Sequence, residues 1–482
     1  MTTPDLTPAS SELKREFTLW SSFAFAFAFI SPIVALYGIF SLAIQAAGPS
    51  FWWGFPLVFG GQLLVAFVFA LLASRWPVEG SIYQWSRRLL GERYGWFAGW
   101  IYMWTLVSAM ATVALGCAGF IANILGLTLD PVGSAGVASL VLLAATGLNL
   151  IGRKPLKIFM TASICAEILG SIGLGTWLLL FHPSNSITVL ASAGGPDYFS
   201  ISGPFVTSVA FIGFAFVGFE SAGAIAEEVQ DAGRTVPKAI IRSLTIVALV
   251  VMFSALAIIL AIPDLGAVAA GDVADPVFGT LTAALGQGIA RPVEVLFLIG
   301  FFASCLALQT SASRVLWSYA RDRAVPGWDR LQRLSGSQRE PMYALVTTTV
   351  VGLVLLLLSF VATDVYTIMV NFTTGGFYLA FLFPILGFLA VRLWGRWVPG
   401  PFSGGRLVPL LSVLAAVWTI ASFVNISWPR EASGAWYLNW SVIIGIVVVS
   451  LIGVMAYRSV RLRIRKADVV EGNHDPQPEV SR

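Results

Sequence analysis

Charge is scarce in this chain. Asp, Glu, Lys and Arg make up 11% of its 482 residues, against 57% hydrophobic residues. That balance excludes a water-soluble globule, which could not cover so much apolar surface with so few polar groups. Cysteine is scarcer still, and Cys117, Cys165 and Cys305 all fall inside apolar stretches, where three buried thiols are expected. With no C-x-x-C spacing, neither a disulfide framework nor a zinc site is expected. Two histidines, His182 and His474, offer no metal pair. No metal, cofactor or nucleic-acid partner is expected, nor an enzyme, since no nucleophile–base pair occurs. The glycines of "LGSIGLG" (169–175) lie inside an apolar run with no strand before them, so they pack helices and cradle no phosphate. The polar start leads into an apolar run too long for the core of a cleavable signal peptide.

Long apolar runs are abundant. A helix crossing about 30 Å of hydrocarbon needs about 20 apolar residues, and mean hydropathy is +0.82. Twelve such runs are expected, at 20–47, 54–74, 95–124, 133–152, 157–181, 203–229, 239–262, 292–320, 342–361, 364–391, 407–427 and 438–457. The fold class is therefore an all-α polytopic membrane protein. Twelve spans leave both termini on one side. Of the 29 Lys and Arg residues, all but Arg291 and Arg430 fall on that side, among them Lys14, Arg15, Arg153, Lys154, Lys157 and Arg339. The positive-inside rule makes it cytoplasmic and the location the cell membrane. The basic "RSVRLRIRK" (458–466) reads as a stop-transfer flank or a contact to anionic headgroups of the lipid bilayer, and the tail beyond it as disordered.

Two spans are built differently from the rest. The first carries Ser31-Pro32 in its middle and Gly38 beyond. The sixth clusters Gly213, Gly218 and Gly223 around its centre. Proline removes a helical donor and glycine loosens the backbone, and the groups a break frees must face protein, water or a ligand. Kinks and packing notches would explain either span alone. Interrupted helices at positions one and six match two five-helix repeats and point to a site near the bilayer midplane.

Two carboxylates are also expected within the membrane, where a charged side chain costs about 2.5–3.5 kcal/mol on insertion scales. Glu167 lies in the fifth span and Glu220 just after the sixth-span break. Glu167 is a candidate coupling group or cation ligand, or else faces a wet cleft or a neighbouring helix. Glu220 is a candidate protonation gate, or a brace for the break. Glu227 and Glu228 read as solvated ion pairs with Arg234 and Lys238, or as an inner gate.

Three segments carry a family resemblance: "FVGFES…AEEVQDAGRTVPKAI" (216–240), "ASRVLWSYARDRAVPGW" (312–328) and "RWPVEGSIYQWSRRLLGERYGWFAGW" (75–100). In order and spacing they resemble the amino acid–polyamine–organocation permeases, with a leaning towards the amino acid/choline branch. The resemblance implies a LeuT-type fold. Its inverted repeats would be 20–181 and 203–391 and its accessory helices 407–457, between cytoplasmic tails 1–19 and 458–482. It implies that a small substrate lies between the two breaks. Ser31, Ile33, Val34 and Ala35 would line one side and Phe214, Ala215, Phe216, Val217 and Gly218 the other, with Phe214 as a lid. Thr310 and Ser311 match loosely the hydroxyls that ligate sodium in such folds, though helix–helix bonding is the plain alternative. Gln309, Asn371 and Thr374 are further substrate candidates. This chain departs from the family with "SPIVALYG" in place of a Gly-small-Gly triplet, and with Glu79-Gly80 in place of Gly-Gly. The lysine that some proton-coupled relatives carry near the fifth span has no counterpart inside that span, where the sole lysine is Lys157 at its first position.

The expected function is secondary transport of an amino acid or related amine, coupled to protons or to exchange. The alternatives are a sodium-coupled choline, GABA or polyamine transporter, and a membrane sensor that does not transport. A channel would need a continuous polar stripe, which no span shows.

Overall fold

The computed structural model describes residues 17–192, 194–273, 275–335, 340–362, 364–430 and 436–464, without the side chains of 153–155 and 157. Lys14, Arg15, Arg339, the tail with His474, and the side chains of Arg153, Lys154 and Lys157 lie outside the described residues.

Twelve spans are long and apolar enough to cross a membrane: α1 Leu19–Tyr37, α2 Pro49–Arg75, α3 Glu92–Leu125, α4 Pro131–Ile151, α5 Ile158–Phe181, α6 Pro204–Ala224, α7 Ala232–Ala261, α8 Gln287–Arg321, α9 Met342–Phe360, α10 Val365–Leu393, α11 Val408–Ser427 and α12 Trp436–Val460. The chain is thus a multi-pass membrane protein. The first expected span, 20–47, is shorter than expected, because the helix yields around Gly38 and a separate helix, Phe40–Ala47, follows. The sixth is shorter too, its end breaking into short turns before Glu228.

Local chemistry sets the ends. Thr18 starts α1 with a capping box, its side chain accepting from the Ser21 amide while Ser21 returns the bond. Asp130 caps α4 ahead of Pro131, and Gly126 closes α3 in a left-handed turn.

The spans at positions three and eight, α3 with 34 residues and α8 with 35, are the longest helices and pack along each other. With α10 they flank the broken spans α1 and α6, whose central residues are almost wholly buried. The late helices α11 and α12 are the least buried. Lipid is as apolar as leucine, so close contact and buried hydrogen bonds hold such a bundle more than hydrophobicity does. Cys117 and Cys305 are buried, but Cys165 is exposed on the outside of α5, contrary to the expectation of three buried thiols.

Candidate functional site

The α1 break centres on Ser31, which stands at φ 50°, ψ 112°. Few non-glycine residues accept such a backbone, at a cost of about 1–3 kcal/mol. Pro32 then opens the second half-helix, Pro32–Tyr37, at the position where its missing N–H is no loss. The first amides of that half-helix have partners. Val34 N–H donates to Ser31 Oγ at 3.1 Å. Ile33 N–H donates to Glu167 Oε2 at 2.9 Å, and the Ser31 hydroxyl donates to Glu167 Oε1. Glu167 reaches in from α5, where the helix widens into a π-turn over Ile168–Gly173. Its carboxylate sits on the positive end of a half-helix, a placement worth up to about 2 kcal/mol when partly buried. Gly300 on α8 leaves the room, since a Cβ there would lie 2.9 Å from Glu167 Oε1 and 3.1 Å from Ile33. Of the amides expected to be open for a substrate carboxylate, that of Ile33 is, in this conformation, held by a carboxylate of the protein and that of Val34 by the Ser31 hydroxyl.

The α6 break has a different construction. A 3₁₀ turn, Gly213–Phe216, leads to extended Val217 and then to Gly218 at φ +100°. A Cβ at Gly218 would meet the Phe29 ring of α1 at 2.3 Å, so the two breaks pack face to face. The Phe214 ring lies beside Gly38. Glu220 follows, fully buried: Oε1 accepts from Tyr102 of α3 at 3.0 Å, and its carbonyl accepts from Ser81 at 3.4 Å. Oε2 has no partner among the described residues.

The face away from the chain ends opens into a cavity of about 470 Å³, lined by Tyr37, Phe120, Phe301 and Tyr366 with Asn123 and Asp275 as polar groups. Tyr366 donates to the Gly38 carbonyl at 2.9 Å, joining this cavity's floor to the end of α1.

On the face that holds the chain ends, the ends of α1, α6 and α8 are drawn shut. Phe17 forms a backbone bridge to the α6 end, through Phe17 N–H to Glu228 O (2.8 Å) and Gln230 N–H to Phe17 O (2.9 Å). Arg314 pairs with Glu228 at 2.8 Å, and Arg321 clasps Glu227 with two bonds of 2.8 and 3.0 Å. Glu227 and Glu228 are thus ion-paired with α8 arginines, where the sequence suggested Arg234 and Lys238. Asp322 gathers Arg87, Gln84 and Tyr83 at 2.6–3.0 Å. Burial and then the Asp322 carboxylate push the Tyr83 phenol up, so it stays a donor.

The remaining candidates scatter. Gln309 and Thr310 join Asn149, Thr146 and Thr349 in a polar network between α4, α8 and α9, with bonds of 2.8–3.0 Å. Ser311 is buried, its Oγ without a partner among the described residues. Thr374 bonds within α10 and lies beside Gly213, and Asn371 is partly buried one turn earlier. The α8 hydroxyl that reaches the α1 break is Ser304, which donates to Phe29 O at 2.8 Å. The sequence does not single out Ser304 and Gly300; their one signal is a position two and three turns before Ser311 on an apolar helix.

The sequence profile described as amino acid permease matches residues 17–449. The chain is 26% identical to the branched-chain amino acid permease BcaP of Lactococcus lactis subsp. cremoris, over 82% of this chain and 86% of that one. It is 26% identical to the BcaP of Bacillus subtilis, over 92% and 94%. It is 28% identical to the methylthioribose transporter of Bacillus subtilis, over 60% and 63%.

Proposed function

Because the chain belongs to the amino acid permease family, we propose that it is a secondary transporter moving an amino acid by alternating access, with a proton gradient or counter-substrate as the driving force. Residues 20–181 and 203–391 act as the two repeats and 407–457 as accessory helices, with both termini in the cytoplasm and the chain in the cell membrane. A cavity on one face with an ion-paired closure on the other supports reading this conformation as outward-facing.

The observation that carries the proposal is the carboxylate of Glu167 on the Ile33 amide, between two broken spans. A substrate carboxylate needs the same half-helix end. Protonating Glu167 removes its negative charge from that end and lets the substrate take the amide, which links one proton to one substrate. Phe214, beside Gly38, then covers the substrate from the cavity. Glu220, tied to Tyr102 and Ser81, serves as the brace of the α6 break.

A second reading has its own support. The Ile33 amide is already satisfied, so a solute without a carboxylate would not compete for it, and one relative is a methylthioribose transporter. Proteoliposome uptake with a panel of amino acids, amines and a thiosugar, with and without a pH gradient, separates the readings. Saturable amino acid flux is expected; flux only for solutes lacking a carboxylate supports the second reading. No flux for any compound overturns both and leaves a sensor.

A further inference from the structure

Glu79 stands in the turn before the Ile82–Leu90 helix, where the family resemblance leads to glycine. Its side chain is fully buried, and neither carboxyl oxygen has a hydrogen-bond partner among the described residues. Its backbone is nonetheless fastened: Glu79 N–H donates to Glu227 Oε1 at 3.1 Å, and its carbonyl accepts from Ser318 at 3.1 Å. The backbone is thereby fixed to the closed face, and the carboxyl lies buried within it.

The charges facing it come from every neighbouring element. Glu227 and Glu228 approach from the α6 end, and Arg314 and Arg321 from α8. The Arg87–Asp322 pair lies beyond Gln84 and Ser318, and Glu340 acts on Arg314 from the chain before α9. Arg314 and Arg321 are already engaged with Glu228 and Glu227. An ionised Glu79 would be a further buried negative charge beside two balanced pairs, which costs several kcal/mol in a dry site.

We propose that Glu79 is a proton site built into the closure: it holds a proton while the terminal face is shut and yields it to solvent when that face opens. Burial above all, then Glu228 and Glu227, push its carboxyl well above the usual carboxylate range, outweighing the two arginines. The sign follows by linkage. The closed form has the raised value and the open, solvated form an ordinary one. The closure therefore has its full stability below the open-form value and loses it as pH rises through the closed-form value. If the terminal face is cytoplasmic, as in the transport reading on which this step's role rests, each opening releases a proton to the cytoplasm and each closing takes one back, so cytoplasmic pH sets how readily that face opens. The chain then has a proton site distant from the substrate.

The closure can be read without transport. In purified protein with Cys117, Cys165 and Cys305 replaced by Ala, Val229→Cys places a thiol under the Phe17 bridge, where Val229 is 1% exposed. Maleimide labelling is followed between about pH 5 and pH 8, relative to Leu462→Cys, which corrects for thiolate ionisation. The expected relative rate rises with pH, by at most about tenfold per unit for one proton. With Glu79→Gln, which keeps the neutral form, it stays at the acid-side value throughout. Glu79→Gly gives the same loss of pH dependence should the glutamine variant not fold. A flat wild-type profile overturns the proposal, and so does a Glu79→Gln profile that matches wild type. Neither result depends on finding a transported compound, so failure here is distinct from failure of the transport reading.

Discussion

The two interrupted spans break in the same layer of the bundle but are held open by opposite means. In α6 the break is written into its own backbone, with Gly218 at φ +100° and no room for a side chain against Phe29. In α1 the residue at the break is Ser31, which accepts φ 50° at a strain cost, and its hydroxyl and the Ile33 amide beyond it are held by Glu167, 134–136 residues away. One break is intrinsic. The other is conditional on a carboxylate supplied from another helix, and conditional contacts are what a switch needs. On the proposed transport reading, α6 is the standing frame of the site and α1 its changeable side.

The largest effect that would break this contrast comes from Gly218→Ala. A side chain at φ +100° costs about 1–3 kcal/mol before any clash with Phe29. We expect a lowered melting temperature and transport reduced by more than about tenfold. Wild-type behaviour in both measurements would show that the α6 break is as adaptable as that of α1. Tyr102→Phe probes the brace more gently. Losing the 3.0 Å bond to Glu220 should cost about 1–3 kcal/mol in thermal stability, since the remaining carboxyl is buried. If Glu220 is a brace, the pH profile of uptake keeps its shape; if the profile flattens, Glu220 is the gate. Thr310→Val gives the smallest change. It removes one 3.0 Å bond to Asn149 in the α4–α8–α9 network, about 0.5–1.5 kcal/mol. Uptake kinetics and sodium dependence should be unaltered, whereas a changed sodium response would return Thr310 to the site.

The spans and the two breaks were legible in the chain because each rests on local chemistry. Hydrocarbon thickness sets the apolar run, and Pro32 and Gly218 act on their own backbone. What stayed hidden is the pairing of distant residues. Nothing near Glu167 says that it caps the Ile33 amide, nor does anything near Ser304 say that it reaches Phe29 O. Gln309 and Thr310 look like site residues because they are polar in an apolar helix, yet three neighbouring side chains satisfy them. Glu227 and Glu228 have basic residues close in sequence, but α8 brings Arg321 and Arg314 closer in space. Glu79 stands out in the sequence only as a departure from a glycine pair. Its place inside the closure emerges only when the Ile82–Leu90 helix, α6 and α8 are packed together.

The direct test of the conditional α1 break is substrate affinity as a function of pH, measured by calorimetry on purified protein for the amino acid that uptake assays identify, in wild type and Glu167→Gln. The glutamine keeps an acceptor near Ile33 but has no charge to set on the half-helix end, so the substrate carboxylate should win the amide more easily. The predicted result is tighter binding in Glu167→Gln, by about tenfold for each 1.4 kcal/mol of lost competition, with the pH dependence of wild-type binding lost. Equal affinity and an unchanged pH profile in the two proteins would contradict the account.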